Sequence, residues 1–319
     1  MKAYQLPERP ASALERPAMA MNRIMAYAPS LVLLALLPSV AMAQSAGPRD
    51  YLNTPVNAAG IFLDYVNSSS ETASESDLPL PNNEAVGRSG FVSLLYSFPL
   101  GSQYGGIAIN GGAATVKVAT PFGKLEASGL TDPSVTFHAN IFGAPALTAE
   151  QFRSAIPQTY LSFHFTITAP LGSYDPNSAV NSGANRWAFT PLMNLDITPD
   201  KGVSWLDIYA GGRFFTSNNA FQGGTVLAQA PLGTISMHYS HNITKIIWAA
   251  VGVYYDAGGE TFINGISQHD RASGFRPTAA ISGRVGKVRL TLRYDSTAST
   301  PRAAPTNGLI ALKLSAPLF

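Results

Sequence analysis

The chain has 319 residues, of which 13% are charged and 46% hydrophobic, with a formal net charge of +2 and no cysteine. Ordinary soluble domains carry roughly 25% charged residues, so the charge content is low for that class. The missing cysteines exclude disulfide staples, thiol catalysis and cysteine-based metal sites, and the scattered 28 glycines and 23 prolines exclude collagen-like repeats.

The N-terminus reads as an export signal. Arg23 precedes an apolar stretch from about Ala26 to Val40, and Ala41-Met42-Ala43 fits a small-x-small cleavage site. A transmembrane anchor needs roughly 20 apolar residues, and Pro29 and Pro38 leave too few. Glu8 and Glu15 are foreign to a signal's basic start, which makes Met19, Met21 or Met25 a candidate translation start. Removing residues 1–43 takes away four basic and two acidic residues, so the net charge falls from +2 to 0. A nucleic-acid partner then loses its electrostatic support. Residues 44–57 are expected to be a periplasmic segment or a plug, ahead of a barrel at 58–319.

From there the pattern repeats with period two. About twelve segments alternate apolar and polar side chains, near 58–66, 89–99, 105–118, 134–143, 159–169, 187–198, 203–215, 232–241, 246–256, 275–285, 287–295 and 308–318. Side chains on a strand alternate faces, so each reads as a two-faced strand. The segments run from nine to fourteen residues. Soluble strands average about five or six, while a tilted membrane strand needs roughly 9–11. The links alternate between short and long, as expected for an antiparallel transmembrane β-barrel of about 12 strands with short periplasmic turns and long extracellular loops. One link breaks the order: Gly143 to Gln158 is long where a turn is expected, and Thr148 with Gln151 predicts a small capped helix there. A secreted β-sandwich would show loops of mixed length with no side preference.

Along the segments, the polar faces predict the barrel interior. SVTFHANIF places His138 and Asn140 there, and LSFHFTIT places His164 and Thr166. Asn194 and Asp196 follow on the sixth segment, Asp207 and Arg213 on the seventh, His238 on the eighth, and Arg289 and Arg293 on the eleventh. Hydrogen-bonded wall residues explain the histidines without a metal, and charge pairing across the lumen explains Asp196, Asp207 and Arg213 without catalysis. Tyr65, Trp187, Tyr255 and Tyr294 stand near segment ends, where aromatic girdles lie, whereas Tyr160 and Trp205 share a face with His164 and Asp207 and point inward. No HExxH, Walker, Rossmann or Gly-x-Ser-x-Gly pattern occurs, so neither an enzyme nor a cofactor is expected. The terminal Phe319 is out of register with the apolar stripe Ile310, Leu312, Leu314, Ala316 and Leu318. Either the last strand bulges near Pro317 or Phe319 lies just beyond the ladder.

The fifth and sixth segments are joined by ITAPLGSYDPNSAVNSGANRW. Pro170-Leu171-Gly172 turns the chain, Asp175-Pro176 makes a second turn, and Asn181 and Asn185 form Asx turns. Arg186 enters the next strand at this mouth, either as a loop brace with Asp175 or as a ligand-orienting group.

Thr131-Asp132-Pro133, Pro170-Leu171-Gly172-Ser173-Tyr174-Asp175 and Gly183-Ala184-Asn185-Arg186-Trp187 resemble the outer-membrane family named for the meta-cleavage pathway of phenol degradation. Thr131 replaces a glycine and Leu171 a threonine of that pattern. The resemblance implies a channel or transporter for passive uptake of small hydrophobic or aromatic compounds. By likeness to such barrels, a terminal aromatic implies insertion by the outer-membrane assembly machinery, with the lipid bilayer as the other partner. A structural or adhesive barrel and a general porin are the competing expectations. The oligomeric state is left open.

Overall fold

The computed structural model describes residues 46–72, 83–120, 123–296 and 306–319. The expected signal at 1–43, the alternative starts, and the tips of the loops at 67–88 and 296–307 lie outside the described residues.

The chain forms a closed antiparallel barrel of twelve strands with almost no helix. The first three are β1 (Ala58–Thr72), β2 (Asn83–Leu100) and β3 (Gln103–Thr120). The fourth position is shared by β4 (Gly123–Leu130) and β5 (Ser134–Phe142), with β4 paired to the far end of β3 and β5 to its near end. Then come β6 (Tyr160–Thr168), β7 (Ala188–Ile197) and β8 (Ser204–Phe215). Two short strands, β9 (Asn218–Phe221) and β10 (Thr225–Gln229), precede β11 (Leu232–Asn242) and β12 (Ile247–Gly258). After β13 (Thr261–Ile263) and β14 (Ile266–Ser267), the wall is completed by β15 (Ala272–Val285), β16 (Val288–Ser296) and β17 (Thr306–Pro317). β17 pairs with β1 from Gly60↔Pro317 to Glu71↔Thr306, which closes the cylinder. Closure matters because every wall N–H and C=O must find a partner inside the membrane.

Each wall position is filled by a strand that overlaps one of the twelve expected segments over most of its length. Alternation sets their orientation. Leu63, Tyr65, Val92, Leu94, Ile107, Ile109, Phe137, Met237, Val251, Phe275, Leu290 and Leu312 are all exposed on the outer face. In water that belt would be a severe liability, whereas in lipid it is the required surface. The barrel therefore belongs in the outer membrane. Tyr65, Trp187, Tyr255 and Tyr294 face outward, and Tyr160 and Trp205 are buried inside.

The long periplasmic link carries the capped helix. In α1 (Ala149–Ser154), Gln151 N donates to Thr148 Oγ1 at 3.4 Å and Thr148 N donates to Gln151 Oε1 at 2.9 Å. At the C-terminus Phe319 lies beyond β17, yet its carbonyl still accepts from Ala59 N at 3.3 Å. The second of the two expectations for Phe319 is the one observed.

The extracellular side departs from the sequence reading. The link at 119–133 was expected to be a loop, but β4 zips onto β3 with Thr115 Oγ1 and Ser128 Oγ 2.9 Å apart. An eight-residue strand is too short to span a membrane, so its alternation was masked. It stands above the bilayer, where β2 and β3, at 18 residues each, also project. A second sheet, in the order β14-β13-β10-β9, fills what looked like open loop at 216–231 and 257–274. These pieces share an apolar core: Ala85, Val116 and Val118 pack with Val180 of the fifth-to-sixth link, Phe221 and Leu227. The described parts of the extracellular loops thus form a built cap.

Candidate functional site

Residues 46–57 run inside the cylinder. Ala46 O accepts from Tyr254 Oη at 2.9 Å, and Gly47 O accepts from Tyr209 Oη at 3.2 Å. Arg49 N donates to Asp207 Oδ2 at 2.8 Å, while its side chain donates to Ser240 Oγ and Asn242 Oδ1, both at 2.7 Å. Asp50 accepts from Lys313 Nζ at 2.7 Å and from Gly47 N at 2.6 Å. Burial pushes the Asp50 carboxyl up, but Lys313 and Arg293 outweigh it and hold the group below its ordinary value. Burial lowers Arg49 to about 10, with Asp207 opposing the drop. Tyr51 O accepts from Tyr160 Oη at 3.1 Å. The segment leaves at the periplasmic end, where Val56 N donates to Leu147 O and Asn57 N to Ser97 O, both at 2.8 Å.

The predicted wall histidines meet this segment. The Tyr51 ring lies 3.9 Å from that of His164 by centroid, and His138 lies 4.1 Å from His164. Local polar partners hold each one: His138 Nε2 is 3.4 Å from Asn140 Oδ1, His164 Nε2 is 3.0 Å from Ser162 Oγ, and His238 Nε2 is 3.2 Å from Ser236 Oγ. Thr166 shares a 2.8 Å hydrogen bond with Thr136 across the strands. Arg289 Nη1 donates to Ser282 Oγ at 3.0 Å near the periplasmic rim. Arg293 lies 3.4 Å from Asp295, beside an Arg276 that bridges Asp256 and Asp295 at 2.9 and 3.4 Å.

Two expected pairings are corrected. Asp196 and Asp207 are register partners, both with 0% exposure, but no cationic side chain lies within 4 Å of either among the described residues. Asn194 Nδ2 donates to Asp196 at 2.7 Å and the Arg49 amide serves Asp207. Arg213 shares their face but sits six positions up β8, about 20 Å along a strand. Asp175 does not brace Arg186. It is exposed and accepts from Asn177 N at 2.8 Å within its own turn.

The brace is Asp132, in the first of the three motif pieces. Its Oδ1 accepts from Gly172 N at 2.8 Å and its Oδ2 from Ala184 N at 2.7 Å. The three motif pieces therefore converge on one carboxylate. A Cβ on Gly172 would sit 2.8 Å from Asp132 N, and one on Gly183 would sit 2.8 Å from the carbonyl carbon of Gly172. Asn185, at φ 51°, turns the chain so that its amide donates to Asn218 Oδ1 at 2.9 Å. Arg186 then points inward, where its Nη2 donates to Gln229 Oε1 at 2.5 Å.

Between the inner segment and this cap lies a cavity of about 470 Å³. Phe62, Val66, Phe91, Leu95, Tyr104 and Phe215 supply apolar wall, and Tyr51 and His164 lie on its floor.

Among solved structures, an outer membrane channel from Pseudomonas putida F1 is similar with a TM-score of 0.73 at 18% identity, covering 86% of this chain and 100% of that one. The β domain of a Bordetella autotransporter, BrkA, is similar with a TM-score of 0.50 at 11% identity, covering 82% of this chain and 98% of that one. Both likenesses concern the fold. No curated protein matches the chain. A family profile matches residues 58–313, which is most of the chain, and the protein belongs to the family described as "MetA-pathway of phenol degradation".

Proposed function

We propose that the barrel is an outer-membrane channel for passive uptake of small hydrophobic or aromatic compounds, closed in this state by residues 46–57. The observation that carries this reading is the cavity of about 470 Å³ with an aromatic and aliphatic wall. Its size falls within the roughly 300–1,000 Å³ of small-molecule sites. A general porin keeps a water-filled lumen, and here the N-terminal segment occupies that path with hydrogen bonds to Tyr254, Tyr209, Asp207 and Tyr160. Permeation then requires that segment to move or loosen.

The test is uptake of labelled toluene, phenol and a small sugar at limiting concentration. Cells with and without the gene are compared, with their catabolic enzymes intact. Loss of the gene should slow the aromatic compounds and leave the sugar unchanged. Equal aromatic uptake in both strains overturns the proposal.

A further inference from the structure

Four cations line the cavity: Arg186, Arg213, Arg293 and Lys313. Two have carboxylates at hand, since Lys313 Nζ lies 2.7 Å from Asp50 and Arg293 Nε lies 3.4 Å from Asp295. Arg186 and Arg213 have none within 4 Å among the described residues. Both stack on one ring instead, with Arg186 4.5 Å and Arg213 5.5 Å from the centroid of Phe215. A ring face attracts a cation but offers its N–H groups no lone pair of the usual kind.

Arg186 is 5% exposed and has one acceptor for Nη2, Gln229. Its Nη1 and the Nε of Arg213 are buried with no acceptor among the described residues. Asp132 acts on both guanidinium groups through its charge, yet the bonds seen at its two oxygens come from the amides of Gly172 and Ala184, and neither guanidinium lies within 4 Å of it. The roof of the cavity therefore holds two positive charges against one negative charge whose hydrogen bonds point elsewhere. Charged donors left unmet away from water are costly, and a planar carboxylate is the acceptor that a guanidinium fork fits best.

The geometry points to a carboxylate site between Arg186 and Arg213, so that the compound held in the cavity is an aromatic acid. Its carboxylate meets the two guanidinium groups, and its ring lies in the cavity beside them, whose wall includes apolar side chains. This rests on the channel reading for its biological sense, but the site itself is measured without transport.

The experiment is calorimetric binding of benzoate, toluene and inorganic phosphate to the full-length barrel in detergent, alongside uptake of labelled benzoate and toluene by cells. Arg213→Gln is the primary variant, because the aromatic stack is the contact seen for its guanidinium. Arg213→Lys and Arg186→Gln accompany it, and heat-modifiable gel migration checks that each is folded. Benzoate should bind wild type, and Arg213→Gln should weaken it roughly tenfold, with toluene unchanged. Arg213→Lys should recover part of the loss, since charge returns without the fork. Benzoate binding unchanged in folded Arg213→Gln overturns the site, as does a parallel loss of toluene or phosphate binding as strong as that of benzoate. Benzoate binding with no gene-dependent uptake of either aromatic would overturn the channel reading and leave the site standing.

Discussion

Asp132 lies at a break in the wall, where Pro133 has no N–H to give and β4 hands over to β5. Its carboxylate joins a loop some forty residues away, which makes it a structural pin at the mouth. Asp132→Asn keeps one acceptor and turns the other into a donor facing an amide. It should loosen the loop by about 1.5–3 kcal/mol, read as faster hydrogen exchange at Gly172 and Ala184. Outer and inner wall residues should differ in another way. Phe165→Arg puts a charge into lipid and should cost about 2–4 kcal/mol near the midplane, while Thr166→Arg enters the lumen and should cost much less and change permeation; denaturant unfolding in bilayers compares the two. Which residues face inward was legible, because a period of two assigns every side chain a face. What they touch was not. Arg186 found Gln229 and Phe215 rather than Asp175, since an Asx turn satisfied Asp175 locally and the true neighbours lie at the ends of β8 and β10, far along the chain.

The twelve wall strands were legible because lipid demands long, strictly alternating segments, and the helix because its capping box is local in sequence. β4 and the four-stranded outer sheet were not legible, being short elements above the bilayer whose apolar partners come from β2, β3 and several separate links. The inner segment is the element with the clearest consequence. Deleting residues 46–56 should raise single-channel conductance in planar bilayers several-fold, with the barrel still heat-modifiable on gels. An unchanged conductance would show that the segment does not close the pore. Its docking should also depend on pH. The docked Asp50 carboxyl is held below its ordinary 3.8 by Lys313 and Arg293 against the effect of burial. A depressed carboxyl contributes its full stabilisation above the free value and loses it as pH falls through the docked one. Conductance of the intact chain should therefore rise as pH drops below 3.8, and Asp50→Asn should show raised conductance already at neutral pH.

For the molecule as a whole, the barrel predicts a β-type circular dichroism spectrum in detergent and faster gel migration when unboiled; a mainly helical spectrum would contradict the fold. The closed cylinder could be read from alternation and loop lengths, since both are properties of neighbours in sequence. The occupied lumen could not, because its bonds join residues far apart in sequence, 109 positions between Tyr51 and Tyr160 and 208 between Ala46 and Tyr254. The salt bridge from Asp50 to Lys313 spans 263 positions and ties the start of the described chain to its last strand. That bond gives assembly an order in time. Lys313 reaches its place only when β17 zips onto β1, so the Asp50 anchor forms after those to Asp207, Tyr209 and Tyr254 can be in place. Sealing the wall therefore also tightens the inner segment, and a barrel halted before its final strand would hold that segment by fewer bonds than the finished one.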